Sequence, residues 1–181
     1  MCESGLGDLN QFERSIAHHD YIDQAIIARD KNDPTAAFMA YDLGEIPISP
    51  GDLLCRGSRP AYNTIADRRK QLDIGARTHC DVVVKLDLAN QRIMVIGGNV
   101  RGSVRMKLLP ASGIDGSSIV PVPYGGRTIF AHVKLNADPI EAKALEESPT
   151  FKAMACRGIM PPSSIAAITN FKGIPTTNCF F

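Results

Sequence analysis

The chain has 181 residues, close to the length of about 150 residues that one domain usually has. Hydrophobic residues make up 44% and charged residues 22%, as in ordinary globular proteins. The net charge of +1 excludes the strong positive charge that binding to nucleic acid or to an anionic membrane surface requires. No apolar run approaches the ~18 residues of a membrane span, so we expect no membrane-spanning segment.

The N-terminus carries no sign of a secretory signal peptide. Residues 1–8 lack the basic start, the apolar stretch and the small-residue cleavage site that such a signal needs. Two interpretations stay open: the chain is cytoplasmic, or it is exported as part of a longer protein. We expect a single domain over residues 1–181, because no linker separates two cores.

The cysteines are odd in number and scattered, and none of them forms a C-x-x-C pair; they are Cys2, Cys55, Cys80, Cys156 and Cys179. This spacing argues against a structural zinc site and against a dense disulfide framework. We therefore expect free buried thiols and no metal, and no cofactor motif is present.

The first half of the chain predicts two helices and two extended segments. Apolar residues recur at helical spacing over residues 15–30, where Ser15 can cap the first turn and Pro34 follows the end. Extended segments are predicted over residues 38–43 and 52–55. Residues 64–72 carry four consecutive charged side chains and predict a solvated helical turn.

A β-hairpin is the clearest prediction, with strands over residues 81–88 and 92–96 around the connection 89–91. Alternation assigns one face of the first strand to Cys80, Val82, Val84, Leu86 and Leu88. It assigns the other face to His79, Asp81, Val83, Lys85 and Asp87.

Further strands are predicted over residues 100–109, with Gly102 marking a bulge, and over residues 129–135. A helix over residues 138–147 follows, capped by Asp138 with Pro139 in its first turn. Residues 161–181 form a tail rich in Pro, Thr and Asn. Helix, antiparallel sheet and helix together predict an α+β fold.

His79 and Asn99 are the candidate catalytic residues. His79 precedes the first strand of the hairpin and Asn99 ends the second, so antiparallel pairing brings the two close together. An amide that fixes the tautomer of an imidazole, which then activates a nucleophile, is part of a Cys–His–Asn arrangement. The alternative interpretation is that both are ordinary residues at strand ends.

Three nearby features are less suited to chemistry. Cys80 adjoins His79, but neighbours on a strand point to opposite faces, so Cys80 belongs to the apolar face. His18 and His19 have no ligand at i+4 and are expected to be surface or half-buried helix residues. Gly97 and Gly98 either allow a close approach to the backbone or simply turn the chain, and they are not a phosphate-binding loop.

Four motifs carry a resemblance to a bacterial family catalogued as domain of unknown function 2272, over roughly residues 5–135. The motifs are Phe12-x-x-Ser15-x-x-His18-x-x-Tyr21-Ile22, Pro50-Gly51-Asp52-Leu53-Leu54-Cys55, His79-Cys80-Asp81-Val82-Val83 and Ile96-Gly97-Gly98-Asn99-Val100. That family in turn resembles the papain-like NlpC and CHAP amidases, which cut amide bonds in peptidoglycan. The resemblance implies a papain-like α+β fold with a C-terminal helix and tail over residues 136–181.

The resemblance implies that His79 is the base and Asn99 its orienting residue in a cysteine- or serine-type amidohydrolase acting on cell-wall peptide. The nucleophile helix of such amidases lies upstream of the segment equivalent to residues 12–22. We therefore expect this chain to lack that helix and to be inactive as it stands, with Cys2 a poor substitute. The alternatives are a non-catalytic module that binds cell-wall peptide or a protein partner, and a cytoplasmic structural protein.

Overall fold

The computed structural model describes residues 15–100, 102–113, 118–126 and 128–137, together with 147 and 149. Contacts divide the chain into two compact units, Met1–Pro139 and Ile140–Phe181, and all described residues except 147 and 149 lie in the first. The expectation of one domain over residues 1–181 stays a prediction. The predicted C-terminal helix (except Glu147) and tail, and Cys2, Cys156 and Cys179, lie outside the described residues.

The described elements are two helices and seven strands. In chain order they are α1 (His18–Asp30), β1 (Phe38–Tyr41), β2 (Leu53–Arg59), α2 (Ile65–Arg69), β3 (Arg77–Asp87), β4 (Arg92–Val100), β5 (Ser103–Gly113), β6 (Ile119–Pro121) and β7 (Ile129–Leu135). The strands form one antiparallel sheet in the order β1-β7-β2-β3-β4-β5-β6. The predicted α+β class is confirmed.

Apolar residues are buried on both faces of the sheet. Leu53 and Cys55 pack in one cluster with Ile22 and Ile26 of α1, whereas Leu54, between them on β2, belongs to a second cluster. Since successive strand residues point to opposite faces, the two clusters lie on opposite sides of the sheet. Ile22 and Ile26 are completely buried, which contributes about 1.5–3 kcal/mol each.

The predicted cap of α1 is wrong. The N-cap is Ala17, which makes no side-chain capping bond. Ser15 lies further out, where its hydroxyl accepts a hydrogen bond from the Ala17 amide at 2.9 Å and donates to the carboxylate of Asp20. The Ser15 hydroxyl is thus bonded to the Ala17 amide and the Asp20 carboxylate, and it does not cap the first turn of α1.

The predicted hairpin is confirmed as β3 and β4, but its alternation breaks part-way along. Val83 pairs with Val95 and Lys85 with Met94, so β3 gains one residue at this point. Before this bulge Val82 packs in the cluster beside α1, and after it Leu86 packs in the opposite cluster. The predicted single apolar face from Cys80 to Leu88 is therefore wrong beyond Val83.

The strand predicted over residues 100–109 begins later than expected. Val100 ends β4, and Gly102, with φ of +73°, lies in the turn before β5 rather than in a bulge. The irregularity falls between Gly97 and Val100 on β4. The strand predicted over residues 129–135 is confirmed as β7, while β6 was not predicted.

The helical turn predicted over residues 64–72 is confirmed as α2, but it is not wholly solvated. Thr64 and Asp67 form a capping box at its start. Arg68 is completely buried, since its guanidinium pairs with the carboxylate of Asp23 on α1. One residue of the charged run, Arg68, thus forms a buried ion pair between the two helices.

Candidate functional site

His79 and Asp81 lie two residues apart on β3 and therefore on the same face of the strand, as alternation predicted. Nε2 of His79 donates a hydrogen bond to Oδ1 of Asp81 at 2.9 Å. The side chain of His79 is 20% exposed and that of Asp81 only 8%. A buried carboxylate thus orients an imidazole that solvent can still reach.

Gly97 on β4 makes room for this pair. A Cβ atom at this position would collide with the carboxylate of Asp81 and would lie 2.9 Å from Nε2 of His79. Gly98 meets nothing within 4 Å. Of the two interpretations of these glycines, a close approach to the backbone is confirmed for Gly97. The groups that approach it are the side chains of Asp81 and His79.

Lys107 on β5 completes the polar contacts of Asp81. Its ammonium lies 2.8 Å from Oδ1 and 2.9 Å from Oδ2 of Asp81. Burial alone would raise the pKa of Asp81, but hydrogen bonds from His79 and Lys107 outweigh burial and hold that pKa below its ordinary value. Asp81 is consequently ionised at neutral pH and acts as a hydrogen-bond acceptor for both neighbours.

Helix α1 contributes His18 and Tyr21, which lie three residues apart and share one side of the helix. The ring of His18 lies 5.0 Å from that of His79, centroid to centroid. Nδ1 of His18 accepts a hydrogen bond from the backbone amide of Cys80 at 3.1 Å and contacts the hydroxyl of Tyr21. Two histidines from different elements therefore meet at β3.

Burial determines the ionisation of the helix side chains. Burial lowers the pKa of His18 below its ordinary value, and nearby His79 lowers it further, although Asp81 opposes both. Burial also raises the pKa of Tyr21, with Asp81 adding to the effect, so the phenol keeps its proton. His18 and Tyr21 are thus neutral at physiological pH.

Asn99 lies exposed near the end of β4 with φ of +53°, a left-handed conformation that asparagine tolerates. β3 and β4 are neighbours as predicted, but their regular pairing stops at Val82 and Ile96. The group that hydrogen-bonds to His79 is Asp81. The catalytic roles of His79 and Asn99 stay predictions.

Cys80 is 5% exposed, as predicted, but the expectation of a free thiol is wrong. Cys55 on β2 and Cys80 on β3 are directly opposite each other, with Cα atoms 4.1 Å apart, and form a disulfide. Sequence spacing could not reveal this pair, because 25 positions separate the two cysteines and only the register of β2 with β3 aligns them.

In a comparison with protein families, the family described as "Uncharacterized protein conserved in bacteria (DUF2272)" matches residues 1–124. The chain belongs to this family. Comparisons with curated proteins and with solved structures find no match. In the described part of this DUF2272 chain, no helix has both the length and the hydropathy needed to cross a membrane. The same residues contain no group of three or more His, Cys, Asp or Glu side chains that could hold a metal ion.

The DUF2272 chain has a second buried His–Asp pair, which ties β7 to β2. Nε2 of His132 lies 2.7 Å from Oδ2 of Asp52, and both side chains are almost fully buried. Asp52 also accepts hydrogen bonds from the Ser49 amide, the Leu135 amide and the Lys134 ammonium. Asp52, within the Pro50-Gly51-Asp52 motif, thus anchors the start of β2 to the end of β7.

Sequence reasoning missed four members of the cluster around His79, namely Asp81, His18, Tyr21 and Lys107. The i, i+2 spacing of His79 and Asp81 on a strand was a signal for their contact. The i, i+3 spacing of His18 and Tyr21 was a weaker signal, since it placed them on one helix face without naming what that face meets. Lys107 gave no signal, because two strand pairings separate it from Asp81.

Proposed function

We propose that this domain is a papain-like amidohydrolase of the cysteine or serine type that acts on amide bonds of cell-wall peptide. In this proposal His79 is the general base and Asp81 orients it. The observation that carries the proposal is the hydrogen bond of 2.9 Å between Nε2 of His79 and Oδ1 of Asp81 beside a part-exposed imidazole. A carboxylate so placed fixes the tautomer and stabilises the imidazolium that forms when the base takes a proton.

The arrangement of elements supports the papain-like assignment. The resemblance implies a histidine that opens a strand after a Pro-Gly-Asp-Leu segment. Here His79 lies near the start of β3, and His18 in the first turn of α1 lies beside it. A Pro-Gly-Asp-Leu segment leads into β2, the neighbour of β3, in the order that the resemblance implies.

The disulfide supports both the compartment and the chemistry of the proposal. Disulfides persist mainly in oxidising compartments such as the bacterial periplasm, where a cell-wall substrate is found. Because Cys80 is bonded to Cys55, it has no thiol to offer beside His79. The nucleophile of the proposed reaction is therefore another hydroxyl or thiol, or water.

The test is release of amino groups from purified peptidoglycan, measured by amine labelling over time. The expectation of inactivity rests on the nucleophile helix, but water activated by His79 needs no such helix, so in this proposal the unaltered chain releases amino groups. We expect a fall of about 10²- to 10⁴-fold for His79→Ala and unchanged release for the matched control His19→Ala. His19 pairs with Asp20 on the helix. Equal release by the His79 and His19 variants would contradict the proposal.

A second candidate is a non-catalytic module that binds cell-wall peptide or a protein partner. Lys107 favours it, because an ammonium on both oxygens of Asp81 withdraws negative charge from the carboxylate that would stabilise an imidazolium. Co-sedimentation with peptidoglycan separates the two. Binding that survives His79→Ala without any amine release supports the module, whereas release that Lys107→Met increases supports the hydrolase.

A further inference from the structure

The imidazoles of His18 and His79 make opposite kinds of hydrogen bond. His18 accepts a hydrogen bond at Nδ1, whereas His79 donates one from Nε2. A neutral imidazole has one N–H donor and one acceptor nitrogen, and the bond made at one nitrogen determines the role of the other. The contacts therefore define what each ring presents to a bound molecule.

At His18, the deciding contact is the backbone amide of Cys80. A backbone N–H can only donate, so Nδ1 of His18, 3.1 Å away, must be the acceptor without a proton. The hydroxyl of Tyr21 contacts the same nitrogen. The proton of the neutral ring of His18 is therefore on Nε2.

At His79, the deciding contact is the ionised carboxylate of Asp81. A carboxylate only accepts, so Nε2 of His79 carries the proton and Nδ1 carries the lone pair. The two rings, 5.0 Å apart, thus present complementary groups: an acceptor nitrogen from His79 and a donor N–H from His18. A base beside a fixed neutral donor is the pair that attack on an amide carbonyl needs.

We infer that His18 is the oxyanion donor of this site, its Nε2–H stabilising the carbonyl oxygen of the amide while Nδ1 of His79 takes the proton of the attacking group. This inference rests on the proposed function. Burial and the proximity of His79 lower the pKa of His18, which keeps the donor neutral.

The step balances as follows. The attacking hydroxyl or thiol loses its proton to Nδ1 of His79 and forms a bond to the carbonyl carbon, and the carbonyl π electrons move to the oxygen that His18 stabilises. The C=O bond then re-forms and the C–N bond breaks, while His79 gives its proton to the leaving nitrogen. Water releases the acyl group as a carboxylic acid where the attacking group belongs to the protein.

The first test is independent of activity: ¹⁵N NMR of the imidazole rings across pH. We expect His18 to be protonated on Nε2 alone at pH 7 and to remain neutral to a lower pH than an ordinary histidine. We expect His79 to be protonated on Nε2. A proton on Nδ1 of His18 at pH 7 would overturn the inference whatever the enzyme does.

The second test uses two variants that separate the roles of the ring nitrogens. The oxygen of His18→Asn can accept from the Cys80 amide in place of Nδ1, but the variant has no donor at Nε2. His18→Gln can place an amide N–H near the position of Nε2. We expect peptidoglycan amine release to fall about 10²- to 10³-fold in kcat for Asn and less for Gln, with unchanged thermal stability for Asn and an unchanged His19→Asn control.

Failure of the inference and failure of the proposed function give different results. Release that depends on His79 but is equal in the His18→Asn variant and the unaltered chain overturns the donor role and leaves the hydrolase intact. Absence of release from the unaltered chain overturns the hydrolase, and with it the catalytic use of His18, even where NMR finds the expected tautomers.

Discussion

Arg68 and Asp23 form a two-pronged ion pair between α2 and α1, with Nε–Oδ1 and Nη2–Oδ2 distances of 2.6 and 2.5 Å. The guanidinium also donates to the Tyr62 hydroxyl and the Ile74 carbonyl. A few residues away, Arg69 and Asp30 join the same two helices through the same geometry, but both side chains are more than 40% exposed. The two pairs differ mainly in burial.

Arg68→Ala is therefore expected to lower the free energy of unfolding by about 3–5 kcal/mol, because it leaves the carboxylate of Asp23 buried without its cation. Arg69→Ala, the matched control, should cost at most about 1 kcal/mol. Urea denaturation followed by circular dichroism measures both. Equal effects of the two variants would show that Asp23 reaches solvent in the folded protein.

Reduction of the Cys55–Cys80 disulfide should lower the free energy of unfolding by about 3 kcal/mol, because the bond closes a long loop in the unfolded chain. The measurement is the urea midpoint with and without a dithiol reductant, compared with a Cys55→Ala, Cys80→Ala double variant. The double variant should be less stable and insensitive to the reductant. Rapid labelling of Cys80 in the native, unreduced protein would contradict the bond.

Gly97→Ala is expected to displace the carboxylate of Asp81, since the new methyl group would occupy its position. Overpacking of this kind typically costs about 1–3 kcal/mol, and it should also break the hydrogen bond to His79. Gly98→Ala is the control, because a Cβ there meets nothing within 4 Å. Thermal melts give the stability of both variants, and identical melts would mean that β4 shifts at no cost.

The lowered pKa of Asp81 makes stability depend on pH in a defined direction. A carboxyl whose pKa is lower in the folded than in the unfolded state, where it is about 4, contributes stability above that value and loses it as pH falls through the folded pKa. Lys107→Met removes one of the groups that lower this pKa, which brings the folded value closer to the unfolded one, so less stability should be lost between pH 7 and pH 3.

The difference in unfolding free energy between pH 7 and pH 3 tests this prediction. Arg92→Met, which removes an exposed positive charge at the start of β4, should leave that difference unchanged. An equal difference in the Lys107 and Arg92 variants would show that Lys107 does not contribute to the ionisation of Asp81.

Local signals predicted the elements better than the contacts between them. The apolar run that follows Arg92 as far as Ile96 and the largely apolar segment Ile129–Leu135 are read directly from neighbouring residues, and both strands formed as expected. The bulge after Val83 left no such signal, because an extra residue in a strand changes the pairing and not the composition.

In the candidate site, too, single residues could be predicted from the sequence, whereas contacts between elements could not. His79 could be selected because it opens a strand, and its face could be assigned by alternation. The role of its neighbour His18 could not be predicted, because the contact depends on how α1 packs against β3. The periodicity of neither segment indicates that packing. The prediction for Arg68 was wrong for the same reason. Four consecutive charged residues predict exposed side chains unless a buried partner such as Asp23 is known.

The position of β7 has a consequence for how the chain is made. β7 pairs with both β1 and β2, yet it is the last of the described strands to leave the ribosome. The nascent chain can pair β2, β3, β4 and β5 early, while β1 has no partner until β7 joins it to β2. The segment that matches the family, residues 1–124, ends before β7, so as an isolated polypeptide it would expose the Phe130, Ala131 and Val133 side of the core as a gap between two sheet fragments.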